Sequence, residues 1–448
     1  MTQRGTRLLA GLVIATSLVA ASASPALAQR KPAAELAPVA SVEAVGFSSE
    51  RLKKLDAAMA KVVADGEVAG MTTYLARHGK LVAFNTYGEA APGRPMSKDA
   101  IVRIYSMTKP ITGVAMMILF EEGKWRLDDP VTRYIPEFKD LKVMTGTDAQ
   151  GRPILEEPKS PITLRQVMSH TAGFGYGLGD EHYVDQQFRA SGVLRANGLQ
   201  EMVGKISTIP LMYHPGEKWS YSAAVDIQGY LVEKLSGQSF GEFLQERIFT
   251  PLKMTDTAFY APPQKAGRLA AVYTFDRASG KLIEATQGPG GGRMQDFTRP
   301  PGLESGGGGL VSTTSDYARF SQMILNGGEL DGARILSPAS VELMGTNVIP
   351  ERALVTSDGG GGTGARFNEH VGFGLDFMVV TDPRKAGSME GEGTLSWGGA
   401  AGTWFWIDPA NDLFFVGMIQ RMGARPNLTP LGALSRTLVY QALVEPEK

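Results

Sequence analysis

The sequence has no cysteine among its 448 residues. That absence excludes disulfides, a thiolate nucleophile, thiolate metal sites and a lipid-modified cysteine anchor. Histidine is scarce, with five in the chain at His78, His170, His182, His214 and His370. None stands in an H-E-x-x-H or close H-x-H arrangement, so the pattern of a histidine-based metal hydrolase is missing. His182, beside Asp180 and Glu181, reads as part of a solvated loop. An excess of one charge is missing too: 45 basic and 46 acidic residues leave a net charge of −1. The electrostatic footprint of nucleic-acid binding is therefore absent. Long hydrophobic runs are also lacking. The apolar stretch Leu8 to Ala21 has 14 residues, short of the roughly 20 that a membrane-spanning helix needs.

That stretch has a different character. Arg4 and Arg7 precede it, and Ala26 and Ala28 follow in an A-x-A pattern. Together they have the form of a secretory signal peptide over residues 1–28, with cleavage expected after Ala28. The expected destination is the periplasm or the exterior, with no stable membrane anchor once the signal is removed. A chain without cysteines suits an oxidising compartment, because nothing can mispair.

The rest has ordinary globular composition, 43% hydrophobic and 20% charged. Residues 29–46 are rich in Pro, Ala and Val and read as a linker. Residues 48–66 have helical periodicity with a serine cap and Gly66 behind. Residues 71–89 alternate and turn at Gly79-Lys80, the pattern of a β-hairpin. Ile101 to Phe120 becomes helical by Thr108. Residues 306–314 read as a glycine-led strand, and Asp316 to Asn326 as a helix. Residues 372–380, 394–399, 402–409 and 413–420 read as antiparallel strands, with Trp404, Phe405 and Trp406 alternating between core and surface. A helix over 433–444 follows. The fold class is mixed α+β: an antiparallel sheet flanked by helices, with an inserted, mostly α-helical domain. Residues 47–109 and 301–448 form the sheet-bearing part, and 110–300 the insertion. Glycine-rich segments at 288–292 and 358–364 read as loops at the entrance to a site.

The chemistry centres on Ser106-Met107-Thr108-Lys109. Residues three apart share a helix face, so Lys109 stands beside the Ser106 hydroxyl. A serine needs an adjacent base to become a nucleophile. A lysine serves when burial or neighbouring cations favour its neutral form. Alone, the pattern fits a surface serine and lysine at a helix start equally well. Tyr221 is a candidate proton carrier, or a core tyrosine at a helix start. Trp397-Gly398-Gly399 ends a predicted edge strand, where paired glycines admit close backbone approach and free N–H groups can form an oxyanion hole. The plain alternative is a bulge. Gly237-Gln238-Ser239-Phe240-Gly241 matches G-x-S-x-G literally. Its context is a helix end at Gly237 and a Ser239/Glu242 capping box, with no strand before it.

Taken in order, several blocks resemble the serine β-lactamase and penicillin-binding-protein superfamily. Within it they are closest to the family VIII carboxylesterases related to class C β-lactamases. The blocks are IYSMTKPITGVAMMILFEEGK, TLRQVMSHTAGFGYG (163–177), the stretch from Pro215 to Phe259, SGGGGLVSTTSDYARFSQMILNGG (305–328) and SWGGAAGTWFWIDP (396–409). The resemblance implies acylation of Ser106, with Lys109 and Tyr221 as coupled base and proton shuttle. It implies an oxyanion hole from the N–H groups of Ser106 and Ala400. Trp397, Gly398 and Gly399 would contact substrate, and His170 and His214 would be structural. No metal or other cofactor is implied, and the expected partner is a small-molecule ester.

Two departures bear on the substrate. Class C β-lactamases have Tyr-x-Asn where this chain has Tyr221-Ser222-Ala223, and Lys-Thr-Gly where it has Trp397-Gly398-Gly399. The cation that would meet a drug carboxylate is gone, and so is an amide side-chain donor, which fits hydrolysis of small to medium esters in a neutral, apolar pocket. A β-lactamase, a D-aminopeptidase or amidase, an acyltransferase and a non-catalytic penicillin-binding sensor remain the alternatives. Asp226, five residues after Tyr221, has no assigned chemical role, and the oligomeric state is not legible.

Overall fold

The computed structural model describes residues 1–2, 35–179, 182–289, 292, 294–350, 353, 370–423 and 427–445. Residues 3–28 of the expected signal peptide, 290–291 of the first glycine-rich segment and all of 358–364 lie outside the described residues.

The main sheet has eight strands, all neighbours antiparallel. In chain order they are β1 (Gly70–Arg77), β2 (Lys80–Ala91), β3 (Arg94–Pro95), β4 (Val371–Phe373), β5 (Met378–Val380), β6 (Leu395–Gly398), β7 (Trp404–Asp408) and β8 (Leu413–Ile419). Their spatial order is β4-β5-β6-β7-β8-β1-β2-β3. The first strand therefore pairs with the last, with Met71 opposite Ile419 and Arg77 opposite Leu413. The β1–β2 turn falls at His78-Gly79, one residue earlier than expected. Both residues have positive φ, 53° and 67°, which suits the twist of a two-residue hairpin.

Helices cover both faces. Helix α1 (Ser49–Ala64) packs with the C-terminal helix Leu431–Ala442 on one face, around Met59, Met71, Leu75, Trp404, Trp406 and Phe415. Ser48 caps α1 by accepting the Arg51 N–H. The other face presents Tyr74, Phe405, Ile407 and Phe414 to the larger core, which includes helix α2 (Thr108–Glu121). Trp404, Phe405 and Trp406 thus alternate between two cores, not between core and surface. A polar outer face would be needed only if one side of β7 met water. Every residue of α2 from Thr108 to Leu119 is buried. A helix apolar on all sides belongs in the interior, so α2 is a rigid base for whatever precedes it.

Two expected strands are corrected. Residues 372–380 are not one strand but the hairpin β4–β5, because Asp376 reverses the chain with φ 63° and gives its N–H to Met168. Of 306–314, only Val311–Ser312 is extended, pairing with Val102–Arg103. The glycines before it form a turn that packs on α2 and on helix α3 (Ala224–Ser236). There a Cβ at Gly306 would lie 2.4 Å from the Val225 carbonyl.

Candidate active site

Ser106 sits where the chain turns into α2. Tyr105, just before it, adopts φ 41°, a conformation that costs a bulky residue about 1–3 kcal/mol. Packing holds it there: Tyr105 is buried, edge-on to Phe297 at 6.1 Å. The turn over Tyr105–Met107 runs directly into α2. It leaves Ser106 half-buried and Lys109 fully buried.

The three candidate catalytic residues come together. Lys109 Nζ is 3.4 Å from Ser106 Oγ. Tyr221, from the loop before α3, donates its phenol to the same oxygen at 2.6 Å. Lys109 Nζ also donates to the Gly307 carbonyl at 2.6 Å and stands 4.5 Å from the centre of the Tyr221 ring. A hydroxyl that contacts both an amine and a phenol has two routes for its proton.

The Trp397-Gly398-Gly399 segment is reached differently from the expectation. Its strand, β6, is not an edge strand, since it lies between β5 and β7. Pairing with β5 stops at Ser396, while pairing with β7 continues to Gly398. The last part of β6 thus outruns its neighbour and forms a local edge. Gly399 then presses on the turn that carries Ser106, where a Cβ would lie 2.3 Å from the Ile104 carbonyl oxygen. Ala400 follows, exposed, in a turn closed by the Gly402 N–H to the Gly399 carbonyl at 2.8 Å. The two candidate oxyanion amides, of Ser106 and Ala400, belong to the two segments joined at this contact. Trp397 is half-buried, 5.6 Å from the Tyr221 ring and 5.4 Å from Phe373. With Trp219, Ile349 and Phe373 these rings make an apolar, aromatic wall.

His170 supports that wall. It is buried with φ 57°. Its Nδ1 accepts the Ser222 N–H at 3.2 Å and lies 3.0 Å from Ser222 Oγ. Burial, then the Lys109 charge, keep the ring well below its usual pKa. A neutral imidazole 5.0 Å from the Tyr221 ring therefore fixes the loop that carries the phenol. His214 is likewise buried.

Two partners of Lys109 escaped sequence reasoning, and Asp226, noted there without a role, stands behind one of them. Tyr176 Oη is 3.1 Å from Lys109 Nζ, and its ring is edge-on to Tyr221 at 5.3 Å. Burial, the Asp226 carboxyl and Tyr221 hold its phenol well above the usual range, so it stays protonated. Tyr176 lies inside the 163–177 block, but no spacing rule ties it to Ser106. Gly307 supplies a carbonyl, which no side-chain motif reveals. Asp226, in the first turn of α3, is fully buried behind Gly307.

Ser239 has the structural place its context suggested. It caps the helix Phe240–Leu244, and its reciprocal hydrogen bonds with Glu242 complete a capping box.

The Beta-lactamase family model matches residues 55–435. Esterase EstB of Burkholderia gladioli is 30% identical, across 83% of this chain and 91% of EstB. Lovastatin esterase of Penicillium rubens is 32% identical, across 73% of this chain and 81% of that protein. The solved structure of EstCE1, a hydrolase with promiscuous acyltransferase activity, matches with a TM-score of 0.70 at 25% identity. The match covers 87% of this chain and 99% of that one.

Proposed function

The chain belongs to the β-lactamase family, as a serine hydrolase or acyltransferase of that fold, and from that premise we propose that it is a carboxylesterase. Its substrates are small to medium uncharged esters, and it works through an acyl-Ser106 intermediate. The observation that carries this reading is the cluster of Ser106 Oγ, Lys109 Nζ and Tyr221 Oη beneath an aromatic wall.

In the proposed cycle Ser106 Oγ bonds to the ester carbonyl carbon, and its proton passes into the Lys109–Tyr221 pair. The oxyanion is held by the N–H groups of Ser106 and Ala400, a kind of contact worth about 10²–10³ in rate per donor. The C–O bond of the ester then breaks, and the alcohol leaves with a proton from Tyr221. Water repeats these steps against the acyl-enzyme, releasing the acid and restoring Ser106. Tyr176 and the Gly307 carbonyl hold the amine in line throughout. Trp397 stands where a class C β-lactamase carries the lysine of Lys-Thr-Gly, so the entrance favours an apolar group over a carboxylate. An incoming alcohol in place of water would give acyl transfer, the second activity in the description of EstCE1.

The test is kcat/KM for a short-chain nitrophenyl ester against that for a chromogenic cephalosporin. The expected ratio is far above one, with the ester activity lost by roughly 10⁴-fold or more in Ser106→Ala. A ratio below one would reverse the assignment of substrate. Ester turnover unchanged in Ser106→Ala would remove the acyl-Ser106 mechanism altogether.

A further inference from the structure

The cycle above leaves Asp226 unused, yet this carboxylate is fully buried and one glycine removed from the lysine. Its Oδ1 accepts the Ser305 hydroxyl at 2.5 Å and the Gly307 N–H at 3.1 Å. Gly307 in turn offers its carbonyl to Lys109 Nζ at 2.6 Å. One glycine therefore takes the carboxylate on its nitrogen and the amine on its oxygen. Any side chain at this position would crowd the carboxylate and the Tyr176 phenol. A Cβ on Gly307 would lie 2.5 Å from Asp226 Oδ2 and 2.6 Å from Tyr176 Oη.

Asp226 Oδ2 has no hydrogen-bond partner among the described residues. A buried carboxylate with an unsatisfied oxygen is costly unless an opposite charge compensates it. Burial raises the Asp226 pKa, and the Lys109 charge opposes that rise. A second buried carboxylate, Asp376, also senses Lys109. Its Oδ1 instead accepts from Gln228 at 3.1 Å, and its Oδ2 lies against Gly113. Ser305 and the Gly307 N–H both bond to Asp226 rather than to Asp376, so the linked path belongs to Asp226. The titratable groups around the amine are thus Asp226 and Tyr176 behind it, Tyr221 and His170 beside it, and Asp376 beyond Gly113.

We propose that Asp226 is a positioning residue for Lys109. It fixes the Gly307 peptides that aim the amine at Ser106, and its negative charge balances the ammonium formed when the serine proton arrives. This rests on the acyl-Ser106 reading. Atoms balance without any added reactant: the proton moves from Ser106 Oγ to the Lys109–Tyr221 pair and returns to the leaving alcohol.

Asp226→Asn keeps the shape and an acceptor oxygen for the Gly307 N–H and removes the charge. With purified protein and a nitrophenyl ester, kcat should fall about 10²-fold with KM little changed. The acidic limb of the kcat/KM profile should move to lower pH by about one unit, because a favourable negative neighbour is gone. A limb that stays in place while kcat falls would overturn the proposal, since loss of packing alone produces that result. A thermal double-mutant cycle with Lys109→Met gives a readout independent of turnover. Lys109→Met should lower Tm by stranding the Asp226 charge, and adding Asp226→Asn should restore part of the loss. Strict additivity would overturn the proposal. Coupling present in a protein whose Ser106→Ala variant is fully active would count against the esterase cycle while upholding the Asp226–Lys109 link.

Discussion

Gly399 shows how much of this site is set by a single missing methyl group. The Ile104 carbonyl occupies the space that a side chain would need, 2.3 Å from the position of a Cβ. Contacts with backbone atoms closer than about 3 Å cannot be relieved by a rotamer change, so one segment must move. In Gly399→Ala the end of β6 should retreat from the turn that carries Ser106. The expected cost is about 10²-fold in kcat, the scale of an ångström-level misplacement, with a modest fall in Tm. Steady-state kinetics alongside thermal denaturation would check this, and wild-type kcat would show that the contact has slack. Tyr105 makes the complementary point. Its left-handed backbone aims Ser106, yet tyrosine has no special liking for that conformation, so nothing in its identity announced the turn.

Elements that run by local rules were legible in the sequence, and those ruled by tertiary contacts were not. The α1 cap at Ser48, the helix start at Thr108 and the capping box at Ser239 are short-range chemistry and stand where their residues put them. Within the site, Ser106 and Lys109 share one helix turn, and the Tyr221 block was recognisable as a block. Tyr176 and Gly307 meet Lys109, and Asp226 meets Gly307, through folding alone, and a backbone carbonyl leaves no mark in a motif. The segment 372–380 misled because a buried aspartate in a left-handed turn sits among residues that otherwise favour strands.

Helix Thr314–Leu325 holds another buried acid whose consequences show in stability. Asp316 Oδ2 accepts the Asp256 N–H at 2.7 Å and the Thr257 hydroxyl at 2.8 Å, and burial pushes its carboxyl from 3.8 up to about 7. A raised folded-state pKa means stability that is fully present below about pH 4 and is lost as pH rises through about 7. Asp316→Asn keeps the acceptor oxygen and cannot ionise. Its stability should therefore gain on the wild type between pH 4 and pH 8, by at most on the order of 4 kcal/mol. Denaturant titrations at both pH values would show the gap widening with pH; parallel curves would contradict the assignment.

Across the whole molecule, the central pairing joins β1 to β8, with Met71 opposite Ile419. Contacts between residues so distant in sequence form late and slow folding. A chain truncated after Thr394 retains Ser106, Lys109 and Tyr221 but loses β6, β7 and β8. It should show no cooperative thermal transition and no ester turnover. A native-like melting curve from that fragment would mean that the first two strands find their stability elsewhere.

The same closure has a bearing on biogenesis. Synthesis proceeds from the N-terminus, so Ser106, Lys109 and Tyr221, the proposed catalytic residues, all exist long before the strand end that presses on the serine turn. Hydrolytic competence is consequently a property of the finished polypeptide. On the proposed mechanism a nascent chain carries Ser106 unarmed, and the last strands to be made are the ones that arm it.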